Sequence, residues 1–139
     1  MKTIVYIKVF LIVLFISLPL FSFGQPDTTI ANHYFKKADS LSRSGQYDSA
    51  IYYFQKASVI YEKIAKIKEE KVKSLSLKGE GELGGEVWKS FVQCYLYIDD
   101  SYRVKWENKT AMSYLNKAIE IIKNKLSNDH ELIAHFYNA

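Results

Sequence analysis

Two stretches of this chain carry small and large apolar residues at one shared spacing. "YDSAIYYFQKASVIY" (47–61) and "NKTAMSYLNKAIEII" (108–122) align as Ala50-x-x-x-Phe54-x-x-Ala57 and Ala111-x-x-x-Leu115-x-x-Ala118. Steps of four and three residues place these side chains on one face of an α-helix. Alanine at that face lets a second helix approach closely, and the aromatic or leucine between the alanines fills the space left beside it. A face repeated in this way buries itself against a copy of its own unit, which is the pattern of a stacked helical array.

The segments preceding each stretch are helical as well. In "PDTTIANHYFKKADSLSRSG", Ala31, Tyr34, Ala38 and Leu41 form one stripe, Asp27 or a following Thr is placed to cap the start, and Gly45 is placed to end it. The next segment begins directly after that glycine, and its stripe of Ala50, Phe54, Ala57, Tyr61 and Ile64 opens five residues on. So short a connection predicts an antiparallel hairpin. Downstream, Trp88, Phe91, Tyr95, Ile98 and Tyr102 form a third stripe, a turn falls near 106–108, and Ala111, Leu115, Ala118 and Ile122 form a fourth. A last piece, "NDHELIAHFYNA", opens a fifth helix with Asn128 or Asp129 as its cap. Both prolines precede residue 27, and nothing after Gln25 reads as a strand.

These residues resemble the tetratricopeptide repeat family. The first unit matches at Tyr34, Ala38, Leu41, Gly45, Tyr47, Ala50, Phe54 and Ala57, and the second at Tyr95, Ile98, Tyr102, Ala111, Leu115 and Ala118. The second unit departs from the pattern with Asp99 at a position that favours a small residue and Trp106 where the family has glycine. The resemblance implies an all-α fold of antiparallel helix-turn-helix repeats forming a short right-handed solenoid. It divides the chain into a first hairpin with a lengthened second helix at 25–73, a glycine-rich linker at 74–86, a second hairpin at 87–126, and the first helix of a truncated third repeat at 127–139. It also implies a passive role in protein–protein recognition, with no catalysis. By the same resemblance the first helix of each unit lines a concave face, placing Asn32, Phe35, Asp39, Ser42, Gln93, Leu96, Asp100 and Arg103 as peptide-contacting residues. Two acids there disfavour a peptide carboxylate and favour a basic or apolar peptide. The succession of leader, repeat, interruption and repeat is also similar to exported bacterial proteins that carry a CHAT-type cysteine peptidase domain. The alternative is therefore that these are the recognition repeats of a larger enzyme, with downstream domains of the same parent chain as the partner.

The leader itself is residues 1–24. Met1, Lys2 and Lys8 precede the apolar run "VFLIVLFISLPLF" (9–21), and "SFG" places small residues before Gln25, as in a cleaved secretory signal. An uncleaved anchor is the alternative; Pro19 interrupts the run and it falls short of the roughly 20 residues a spanning helix needs. The expectation is a periplasmic or secreted bacterial protein with no stable membrane insertion after cleavage. Without Lys2 and Lys8, 17 basic residues stand against 15 acidic ones, a balance of about +2 that gives no footprint for nucleic acid. The single cysteine, Cys94, forms no internal disulfide, so the fold must rest on packing; beside the third stripe it reads as a partly buried structural thiol.

Other motifs dissolve on inspection. "KGEGELGG" (78–85) spells GxGxxG, yet it follows a charged helical segment instead of a strand, and Glu80, Glu82 and Glu86 would repel a pyrophosphate. It reads as a linker and hinge, and no cofactor is implied. In "HELIAH", His130 and His135 are five apart and so sit ~140° apart around a helix, which excludes one metal held by both from a regular helix. Lys63, Lys66, Lys68, Lys71 and Lys73 with Glu62, Glu69 and Glu70 read as the solvated face of a long helix, with a membrane-surface or anionic-partner role as the alternative. Asn108-Lys109-Thr110 matches a glycosylation sequon and reads as a helix cap. Most of the eleven tyrosines fall on stripes, with Tyr52 and Tyr53 expected at the surface. Two units and one further helix fall short of the three units a stable array needs, so marginal stability or self-association is expected of 25–139.

Overall fold

The computed structural model describes residues 27–75 and 82–126. The leader and the expected fifth helix, with its Asn128, Asp129, His130 and His135, lie outside the described residues, as do Gly79 and Gly81 of the glycine stretch. Four helices account for the described chain: α1 (Thr29–Arg43), α2 (Tyr47–Leu75), α3 (Glu82–Val104) and α4 (Asn108–Lys125). No strand occurs among the described residues, so the fold is all-α there. None of these helices is long and apolar enough to cross a membrane.

Helix α1 has Thr28 as its N-cap residue, whose side chain makes no cap bond, and the residue before it holds the helix start instead. The Asp27 carboxylate accepts hydrogen bonds from the Thr29 backbone N–H (2.9 Å) and the Thr29 hydroxyl (2.6 Å). It ends in a turn whose geometry answers for the orphan carbonyls of the last turn. Gly45 adopts φ +76°, its N–H bonds the Ser42 carbonyl (3.0 Å), and the Gln46 N–H bonds the Leu41 carbonyl (2.9 Å). Helix α2 then runs back along α1: the Tyr61 hydroxyl donates to Asn32 Oδ1 (2.6 Å), and Tyr34 stacks on Tyr53 with ring centroids 6.0 Å apart. Ala31, Ala38, Ala50 and Ala57 are all fully buried, as a close approach of the helices requires.

The turn between α3 and α4 is the same turn, 61 residues on. The Trp106 N–H bonds the Arg103 carbonyl (2.9 Å), the Glu107 N–H bonds the Tyr102 carbonyl (2.9 Å), and Trp106 adopts φ +62°. Trp106 thus takes the left-handed conformation that Gly45 takes in the first hairpin. Departure from glycine in the sequence leaves the turn unchanged. The cap, however, is not Asn108: that residue is the first of α4, Glu107 precedes it, and no side chain caps the helix. The turn itself delivers the chain into α4, with the Ala111 N–H bonding the Glu107 carbonyl (3.0 Å), just as Ala50 bonds Gln46 (3.0 Å).

The linker is shorter than the sequence suggests. Helix α2 reaches Leu75 and α3 opens at Glu82, so Gly84 and Gly85 are helical. The cause lies in the residues that the added turn, 82–86, leads into. Val87 and Trp88 are buried, and the Trp88 indole N–H donates to Glu69 Oε1 (2.8 Å) far along α2. Docking of this end of α3 against the extension of α2 supports helix that glycine alone would disfavour.

The two hairpins meet through α2 and α3. Phe54 is fully buried, lies 5.0 Å from the Tyr97 ring in a stacked pair, and meets Phe35 edge-on at 5.3 Å; Phe35 in turn meets Tyr97 edge-on at 5.5 Å. Aromatic rings at these distances and tilts add to the stabilisation from area burial alone. Next to Phe54, Gln55 donates to the Tyr114 hydroxyl of α4 (2.9 Å). Helices α1 and α3 therefore run parallel to each other, as do α2 and α4.

Candidate functional site

The eight residues expected on a concave face occupy four corresponding pairs on α1 and α3, 61 residues apart: Asn32 with Gln93, Phe35 with Leu96, Asp39 with Asp100, and Ser42 with Arg103. Their environments are not equivalent. Gln93 is exposed, whereas Asn32, also exposed, already accepts the Tyr61 hydroxyl. Phe35 is half-buried and engaged by Phe54 and Tyr97, so most of its ring joins the two hairpins and little remains for a ligand. Leu96 is half-buried and packs against the cluster that contains Trp88 and Phe91. Asp39 is half-buried and held by Arg43 one turn on (3.1 Å).

Around Asp100 the charges are arranged differently. Asp99 beside it is buried; its Oδ2 accepts from Arg103 Nε at 2.9 Å, while its Oδ1 has no hydrogen-bond partner among the described residues. Loss of hydration, followed by the Asp99 charge, pushes the Asp100 carboxyl above its ordinary value, with Arg103 opposing. Arg103 thus serves Asp99 first, and the exposed part of its guanidinium remains at the surface. The first hairpin has Ala38 at the position corresponding to Asp99, fully buried. In the sequence Asp99 is only a departure from a small residue; its burial and its orphan oxygen follow from the packing of α3.

A cleft of about 230 Å³ opens elsewhere, between α2, α3 and α4. Its walls include Glu62, Trp88, Phe91, Tyr95, Lys117 and Lys125. The Lys125 ammonium lies 5.3 Å above the Trp88 ring and pairs with Glu69 Oε2 at 2.9 Å, the carboxylate that also accepts the indole N–H. Glu69, placed by the sequence on a solvated face, is instead the bracket that ties α2 to both later helices. Burial, and next the Glu62 charge, push the Tyr95 hydroxyl up. No sequence argument had assigned this cleft; the Trp88, Phe91, Tyr95 stripe was read as core, and its rings are the cleft's apolar wall.

Cys94 is fully buried, and burial pushes its thiol far up, so it is inert in the folded chain. Among the described residues no group of three or more His, Cys, Asp or Glu side chains is placed to hold a metal ion. Comparison with protein-family models and with curated proteins finds no match to this chain.

Proposed function

We propose that this chain is an exported, tetratricopeptide-type solenoid segment that recognises a peptide or a neighbouring protein domain through the α1/α3 face, without chemistry of its own. The observation that carries the reading is the 61-residue correspondence of the two turns, in hydrogen bonding and in the left-handed residue at Gly45 and Trp106. One hairpin geometry used twice, and joined through an aromatic contact, gives a rigid paired surface of the kind repeat proteins use for binding. The apolar run at 9–21 supports export. Asp39 and Asp100, with buried Asp99 behind, make the face more suited to basic or apolar peptides than to a free carboxylate.

A peptide array probed with the full chain tests this. Basic or apolar peptides should be retained, and an Asp39→Asn/Asp100→Asn variant should lose them while Lys123→Gln, on α4, should not. Retention that is indifferent to both acids would overturn the assignment of this face.

A further inference from the structure

The second hairpin shows which side of such a unit is covered by its predecessor. On α3, Phe91, Cys94, Ile98 and Ser101 are buried. Their counterparts on α1 are Ile30, His33, Lys37 and Ser40, all exposed. The outer face of the first hairpin is therefore written in different chemistry from a stacking face. Tyr52, Lys56, Val59 and Lys63 continue it along α2 at steps of four, three and four. One ammonium bridges the two helices there, Lys37 Nζ of α1 lying 4.2 Å over the Tyr53 ring of α2, while within α2 Lys56 Nζ lies 5.3 Å over Tyr52.

Along residues 29–63, which carry this face, the acids are already engaged by other cations. Between residues 29 and 63 the acidic residues are Asp39, Asp48 and Glu62. Asp39 is bonded to Arg43, Asp48 to Lys105 and Glu62 to Lys66. Exposed aliphatic side chains stand among the lysines, with Ile30 60% and Val59 65% exposed.

We propose that this outer face of α1 and α2 docks on an anionic lipid bilayer surface. Charge complementarity selects an anionic partner, since Lys37, Lys56 and Lys63 present ammonium groups that pair with no carboxylate among the described residues. The protruding Ile30 and Val59 select a bilayer over an acidic polypeptide. They project singly, as residues suited to entering a headgroup layer, and Tyr52 is amphipathic in the way residues at that depth are. This role is separate from peptide recognition by α1 and α3 and does not depend on it.

Sedimentation of the full chain with vesicles tests the proposal, comparing phosphatidylcholine containing about one third phosphatidylglycerol with phosphatidylcholine alone. The apolar 9–21 run is common to every arm and cancels in the ratio of the two affinities. We expect tighter binding to the anionic vesicles, weakened by salt. A Lys56→Gln/Lys63→Gln variant should lose roughly twentyfold in that ratio, at about fivefold per lysine. A Lys109→Gln/Lys123→Gln variant removes equal charge from α4 and should change it less than twofold, circular dichroism confirming that both variants fold. Equal binding to the two vesicle types overturns the proposal, and so does an equal loss in the two variants. Retention on immobilised polyglutamate without any preference for anionic vesicles would assign the face to an acidic polypeptide and overturn it as well.

Discussion

Trp106 occupies the left-handed conformation that Gly45 occupies one repeat earlier, at φ +62° against +76°, and its side chain is 87% exposed. A residue with a Cβ carries a penalty of about 1–2 kcal/mol there, and nothing in the turn's hydrogen bonding differs between the two copies. The tryptophan contributes little burial to offset that strain. Trp106→Gly is therefore expected to stabilise the fold by about 1 kcal/mol, and Gly45→Ala to destabilise it by a similar amount. Urea denaturation followed by circular dichroism measures both. A destabilised Trp106→Gly variant would mean that the indole makes a contact worth more than the strain.

Asp99 is the second local conflict. Its Oδ1 is buried without a partner among the described residues, and its bond to Arg103 involves a guanidinium that is half-exposed and so screened by water. Burying a carboxylate oxygen unsatisfied costs more than such a pair returns. With Ala38 at the corresponding place in the first hairpin, Asp99→Ala is expected to raise stability by about 1 kcal/mol. A loss of that size in the same denaturation assay would show that the carboxylate is better satisfied than its geometry implies.

The contrast between these two residues and the rest of the chain shows what was legible beforehand. Helix existence and the buried alanines follow from three-and-four periodicity, because periodicity reports which face is buried without needing the partner, and the antiparallel pairing follows from the short turns. The length of α3 does not, because glycine propensity argued for a linker while docking of Trp88 on Glu69, 19 residues away, decided the outcome. The candidate site splits along the same line. Positions on α1 and α3 could be counted off, but Phe35's engagement with Tyr97 and the placing of Lys125 over Trp88 in the cleft wall depend on contacts between helices. Spacing within one helix is silent on both.

The joint between hairpins should be the most sensitive point of the core. Phe54 touches both Phe35 and Tyr97 and is fully buried, so Phe54→Ala is expected to cost about 3–5 kcal/mol. Phe35→Leu and Tyr97→Leu, measured singly and together, should show a coupling of about 1 kcal/mol. A coupling near zero would mean that the two hairpins stack through the aliphatic residues alone.

Alkaline pH should weaken the fold through groups that are buried while neutral. Burial pushes the Tyr61 hydroxyl up to about 12 and the Cys94 thiol further, and it raises Tyr95 and Tyr102 as well. Each of these groups carries no charge when protonated, and the folded chain holds its proton more tightly than the unfolded chain does. Their stabilising contribution is therefore complete below the unfolded thiol value of about 8.5, and it is lost as pH rises through the unfolded tyrosine value near 10 toward the folded ones. Urea midpoints should stay level across this part of the titration up to about pH 8 and fall progressively above about pH 9. A thiol reagent applied at pH 8 should leave Cys94 unmodified until denaturant is added. Rapid labelling of the native chain, or a midpoint that holds steady to pH 11, would show that Cys94 and Tyr61 meet solvent more readily than their packing between α2 and α3 allows.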